Sequence, residues 1–297
     1  MSHAHSPRSQ GHRRPLTIAF GLVTVFMLVE AAAGLLTGSL ALVSDAGHMA
    51  TDALGLGLAL AAMTAADGDS NAGSRTFGLY RLEVLAALTN AILLFGVAAY
   101  VIFEAVSRLA APTNVEVGPM LVVAVVGLAI NLVCWRLLRP GAEGSLNVRG
   151  AHLEVTADLL GSMGVIVAAL ILAFTGWPYA DPLFAGLIGL FIFPRAWRLG
   201  AQAVRILVQA APAGLDLHQI RHDLAVLPGV VDVHDLHVWT LTSEMDVATV
   251  HLMTDDQTDP HSVLDGARAL LQDRYRLRHA TLQVEPSTHR GCSEISW

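Results

Sequence analysis

The sequence predicts an α-helical membrane protein: six transmembrane helices followed by a small α+β domain. Three observations carry that prediction. The chain is 54% hydrophobic and only 14% charged, outside the range of an ordinary soluble globule. Apolar runs of about 20 residues, enough to cross about 30 Å of hydrocarbon, recur six times before residue 204. Past "QAAPAG" the chain turns polar, and helical and alternating spacings replace the apolar runs.

The six runs are Leu16 to Leu36, Leu40 to Ala66, Leu82 to Leu109, Met120 to Leu138, Val148 to Phe174 and Leu183 to Ala203. The first follows the basic "GHRRP", but it is too long for a signal-peptide core, carries Glu30 and lacks a small-residue cleavage site, so it is retained as a span. Basic residues cluster before span one (Arg13, Arg14), between two and three (Arg75, Arg81), between four and five (Arg136, Arg139, Arg149) and around the end of six (Arg195, Arg198, Arg205). The connections "TGSL", "APTNVEVGP" and "TGWPYADP" carry none. By the positive-inside rule both termini are cytoplasmic, which six spans allow. The expected organisation is a tail at 1–15, a transmembrane domain at 16–211 and a cytoplasmic domain at 212–297.

In the last of these a helix is expected from Asp216 to Leu227, ended by Pro228-Gly229. Two β-like runs follow, "VVDVHDLHVWTLT" and "DVATVHLM", joined by a turn at Ser243-Glu244. The stretch "HSVLDGARALLQDRY" spaces Val263, Ala267, Leu270 and Arg274 as a helix does, and "ATLQVE" closes as a strand. That order, αββαβ, is ferredoxin-like.

Ionisable residues at mid-membrane are costly, about 2.5–3.5 kcal/mol each on insertion scales, and tend to face inward and serve a function. Span two carries His48 and Asp52 four residues apart, on one helix face. Span five repeats the device with Glu154 and Asp158. Counted from opposite membrane faces, both pairs fall at a similar depth, 15–18 Å or so at 1.5 Å per residue. One imidazole and three carboxylates suit tetrahedral Zn²⁺, and carboxylates also suit Mn²⁺, Fe²⁺ and Co²⁺. His152, about 240° round the helix from Asp158, is expected to pack or sit at an interface. Asn90, Asn131, Ser44 and Ser162 are expected to make interhelical hydrogen bonds. Glu30, Asp45 and Asp181 are open between lining a water path, pairing with Arg and lying near an interface; none is assigned as a ligand.

Other chemistries lack their signatures. There is no HExxH, "LLGSMG" is not GxSxG, and no Walker A motif is present, so an enzyme and an ATP-driven pump are not expected. Cys134 and Cys292 make neither a disulfide framework nor a CxxC site. A net charge of -7, without a basic patch interleaved with aromatics, argues against nucleic acid as a partner. A metal site at mid-membrane reads as a carrier's transport site, where protons and metal compete for the same groups. A membrane metal sensor, which needs only the tail site, and a passive channel are the competing classes.

These stretches resemble one family. "GSLALVSDAGHMATDALGLGLAL", "FGLYRLEVLAALTNAILL", "NVRGAHLEVTADLLGSMGV" and "DVHDLHVWTLTS" are similar to the second span, the approach to span three, span five and the cytoplasmic domain of the cation diffusion facilitators, the proton-coupled zinc transporters. The resemblance implies a homodimeric exporter of divalent metal, Zn²⁺ by default, in the bacterial cytoplasmic (inner) membrane, with alternating access and no prosthetic group. It implies transport ligands at His48, Asp52, Glu154 and Asp158. It also implies cytoplasmic metal ligands at His234, His251, His261 and Glu285, with Gln283 where other members carry His. His237 is read as filling the alternate strand face. Glu154 departs from the His usual in zinc-selective members, which raises the standing of Mn²⁺, Fe²⁺ and Co²⁺. His3, His5, His12 and Cys292 resemble the metal-capturing termini of some members.

Overall fold

A computed structural model describes residues 8–68, 77, 81–141, 146–242 and 245–288. His3, His5, Cys292 and the Ser243-Glu244 turn lie outside them, as does the side chain of His12. The chain divides into two compact units, Met1–Leu58 with Thr89–Gly200, and Ala59–Leu88 with Ala201–Trp297.

Six long helices come first: α1 (Arg8–Thr37), α2 (Leu40–Gly68), α3 (Arg81–Ala110), α4 (Val117–Leu138), α5 (Leu146–Thr175) and α6 (Ala180–Leu207). Each contains its expected run and extends beyond it at one end or both; α4 begins three residues early, at Val117, and stops at Leu138 as expected. Among the described residues five windows are long and apolar enough to cross a membrane: Thr17–Thr37, Arg81–Ala110, Val117–Leu138, Ala151–Thr175 and Ala180–Leu207. Polarity is inverted relative to a soluble protein. Leu36 and Phe174 are more than four-fifths exposed, while Glu30, Ser44, Asp45, Asn131 and Asp181 are buried. Alanines dominate the interior contacts, with Ala41, Ala105, Ala124, Ala168, Ala169 and Ala185 in one cluster, because small residues let helix backbones approach where burial against lipid gains nothing.

Asp181 sets where α2 begins. Its carboxylate accepts from Ser39 Oγ (2.6 Å) and from the backbone N–H groups of Leu40 (2.8 Å) and Ala41 (3.2 Å). Arg108 Nη1 stands 3.8 Å away. An acid from α6 thus satisfies the orphan amides at the start of α2, a role worth roughly 0.5–2 kcal/mol in ordinary helix caps. Of the three readings open for Asp181, the structure gives pairing with Arg, plus the cap.

The second unit contains α7 (Leu217–Ala225), β1 (Val230–Thr242), β2 (Met245–Thr254), α8 (Pro260–Tyr275) and β3 (His279–Pro286). β2 is central, antiparallel to β1 and parallel to β3, with α8 as the crossover. Asp216 caps α7 by accepting from His218 N (2.9 Å) and Gln219 N (3.3 Å). The helix stops two residues short of Leu227, since a residue before proline is driven out of the helical region. In α8 the buried stripe is Val263, Ala267 and Leu271; Leu270, expected in that stripe, packs at its edge, and Arg274 reaches Asp223 Oδ2 at 2.6 Å.

Candidate metal centres

The first centre lies in the unit containing residues 1–58 and 89–200. Asp52 is twelve residues beyond the start of α2 and Asp158 twelve beyond the start of α5, about 18 Å along either helix. His48 Nε2 lies 3.6 Å from Asp52 Oδ2 and 3.9 Å from Asp158 Oδ1. His48 and Asp158 are buried, and Asp52 is partly so. Glu154 is more open; its side chain reaches Asp52 and is ion-paired to Arg195 on α6. The helices meet closely here: a Cβ on Gly161 would lie 2.5 Å from Asp45 Oδ1. All four sequence-expected residues therefore converge, Glu154 through a cation of the protein's own.

The neighbours sort differently from expectation in places. Asn131 Nδ2 donates to Ser162 Oγ (3.3 Å), the expected interhelical bond. Ser44 Oγ is buried without such a partner. Asn90 packs on Gly55 of α2. Glu30 and Asp45 are buried with their side chains against each other. His152 stacks beside Trp135, ring centroids 5.2 Å apart, in the packing role its helical angle implied. Arg195 is the residue that sequence reading missed. It appears there as an orientation charge, yet its guanidinium also stands 3.5 Å from Asp52 Oδ2. A basic residue directly after a proline, inside an apolar run, was the available signal.

The second centre is on the sheet. His234 and His251 are direct partners across β1 and β2, and Glu285 on β3 is one diagonal step from His251. One ligand atom from each of the three lies within 4.8 Å of the others. His234 Nε2 and His251 Nδ1 are buried with no hydrogen-bond partner, although His251 Nδ1 is 3.1 Å from Glu285 Oε1. Supports surround them. Asp232 Oδ2 holds His234 Nδ1 at 3.2 Å, and Gln283 Nε2 donates to Glu285 Oε1 at 2.6 Å. A bulge between His234 and His237, with Asp235 at φ 53°, breaks the alternation and buries Val233 and His234 together. Two unpartnered imidazole nitrogens beside a carboxylate fit a divalent metal, with the second shell such sites use. His261 stands apart: exposed in the first turn of α8, its backbone N–H donating to Asp259. His237 is exposed on the other face, 3.0 Å from Asp235 Oδ1.

Asp223, on α7 of the same unit, has structural partners. The Tyr275 hydroxyl donates to it, as does Gln219 Nε2 (2.8 Å), and with Arg274 they hold its carboxyl below the usual aspartate value.

A bundle of apolar helices with acids and an imidazole gathered in its interior, joined to a small metal-fitting α+β unit, defines a multi-pass membrane carrier of metal cations. Comparison with known proteins gives the family. The model of the cation efflux transmembrane domain matches residues 16–208 and that of the cation efflux protein cytoplasmic domain matches 212–287. The chain belongs to the cation efflux (cation diffusion facilitator) family, whose members are transporters and not enzymes. It is 45% identical over 284 residues to the metal cation efflux system protein CzcD of Cupriavidus metallidurans, covering 95% of this chain and 89% of that one. It is 41% identical over 292 residues to the zinc transporter ZitB of Escherichia coli (96% and 93% covered). It is 35% identical over 300 residues to a cadmium, cobalt and zinc/H(+)-K(+) antiporter of Bacillus velezensis (99% and 95% covered).

Proposed function

We propose that the protein is an antiporter that exports divalent metal cations, Zn²⁺ foremost, from the cytoplasm in exchange for protons. In this reading α2 is a sixth span, both termini are cytoplasmic, the membrane is the inner membrane, and the working unit is a homodimer. The observation that carries it is the convergence of His48, Asp52 and Asp158 from α2 and α5 in a largely buried setting. The names of the relatives, a zinc transporter and a metal/H(+)-K(+) antiporter among them, support the cargo and the exchange.

Exchange follows from ligand chemistry. An imidazole binds a cation only when neutral and a carboxylate only when ionised, so metal and protons compete for His48, Asp52, Glu154 and Asp158. If the site opens to one side at a time, a metal leaving outward is replaced by protons, which are released inward before the next metal binds. His234, His251 and Glu285 hold a regulatory metal on the cytoplasmic side. The oxygen-rich set created by Glu154 is expected to admit Co²⁺ and Mn²⁺ besides Zn²⁺.

The test is metal flux into proteoliposomes under an imposed pH gradient, over Zn²⁺, Co²⁺, Mn²⁺, Fe²⁺ and Cd²⁺. Flux should rise with the gradient and dissipate it. Flux indifferent to the gradient would indicate a channel, and binding without flux a sensor.

A further inference from the structure

The guanidinium of Arg195 lies against one candidate ligand oxygen of Glu154 and approaches one of Asp52. It is ion-paired to Glu154 Oε1 and stands 3.5 Å from Asp52 Oδ2, the same oxygen that lies 3.6 Å from His48 Nε2. A divalent metal bound to those oxygens would sit about 2.0–2.2 Å from each. Two cations cannot share these atoms at such range without strong repulsion. The position along α6 matters too. Pro194 precedes Arg195, and a proline inside a helix removes one backbone hydrogen bond and admits bending there.

Resting on the transport-site reading above, we propose that Arg195 is a tethered counter-cation of that site, pairing with Asp52 and Glu154 when metal is absent and withdrawing when metal binds. Metal-free carriers must return across the membrane with three carboxylates, Asp52, Glu154 and Asp158, close together. The guanidinium offsets one of those three charges. Its displacement opposes metal binding, which keeps affinity low enough for release. Arg195 acts on the cargo through Asp52 and Glu154, as a positioning residue, and it sets KM and turnover together.

The experiment measures Zn²⁺ and Co²⁺ flux in proteoliposomes of the full chain for wild type, Arg195→Gln, Arg195→Lys and Asp158→Ala. Arg195→Gln is expected to lower KM for Zn²⁺ roughly tenfold, the equivalent of about 1.4 kcal/mol, and to lower kcat as well, because return of the empty carrier slows. Arg195→Lys keeps the charge without the two-pronged fork and should fall between. A purely structural role would lower kcat with KM unchanged or raised in both variants, and that result overturns the proposal. Should Arg195→Gln not fold, Arg195→Lys with wild-type KM and wild-type kcat overturns it equally. Asp158→Ala separates the two claims: wild-type flux there refutes the transport site, whereas lost flux there beside an unchanged KM in the Arg195 variants refutes the counter-cation alone.

Discussion

His234, His251 and Glu285 hang from three hydrogen-bonded strands, whereas His48, Asp52, Glu154 and Asp158 hang from two separate helices, α2 and α5. On the sheet, register fixes the ligand spacing before any metal arrives, and Asp232 and Gln283 orient what the backbone has positioned. In the helices, His48 reaches Asp52 and Asp158 at 3.6 and 3.9 Å while Arg195 holds Glu154 and approaches Asp52. The first arrangement suits a metal that stays. The second suits a cargo, because a site with a competing cation of its own gives up its ion more easily. Under the proposed function, preorganisation separates a site that retains metal from one that passes it, although both draw on the same residue types.

The contrast can be broken from the sheet side with the largest effect. Replacing His234 and His251 together by Ala should remove one bound Zn²⁺ per chain, measured by equilibrium dialysis, while flux persists; loss of flux would make the sheet centre part of the transport path. Asp232→Asn should weaken Zn²⁺ binding at the sheet by about tenfold, at the low end for lost second-shell partners, and titration calorimetry on the detergent-solubilised protein reads this directly. From the helix side, Glu154→His should raise the Zn²⁺ to Mn²⁺ flux ratio by replacing an oxygen ligand with nitrogen. An unchanged ratio would mean that Glu154 does not touch the ion.

The smallest expected effect concerns Asp223. Its folded value is depressed, chiefly by the Tyr275 hydrogen bond. The sign follows: its contribution to stability is full above the ordinary aspartate value of about 4 and fades as pH falls through the lower folded value. Asp223→Asn should therefore speed amide hydrogen exchange in α7 and α8 slightly at pH 7. The difference from wild type should shrink below pH 4.

Much of this was legible because local rules and global fold agree. β1 begins and ends where turn signals and alternation put it, and the two i, i+4 pairs in spans two and five are visible from spacing alone. What stayed hidden depends on contacts between elements far apart in sequence. Arg195 reads as one more charge near the end of span six until α6 is set against α2 and α5. Asp181 shows its purpose only beside Ser39, 142 residues earlier. His261 has the chemistry of a ligand and stands exposed in the first turn of α8, outside the group formed by His234, His251 and Glu285. Leu270 and Leu271 compete for one stripe, and helix phase against the sheet decided for Leu271.

Asp158 offers the most direct test of the central claim that the α2/α5 cluster carries the cargo. Zn²⁺ flux and Zn²⁺ binding should be measured on the same reconstituted preparation of Asp158→Asn, a near-isosteric change that removes the charge. The account predicts that flux driven by a pH gradient is lost while the Zn²⁺ bound at His234, His251 and Glu285 is retained. Flux at the wild-type rate in that variant would contradict it.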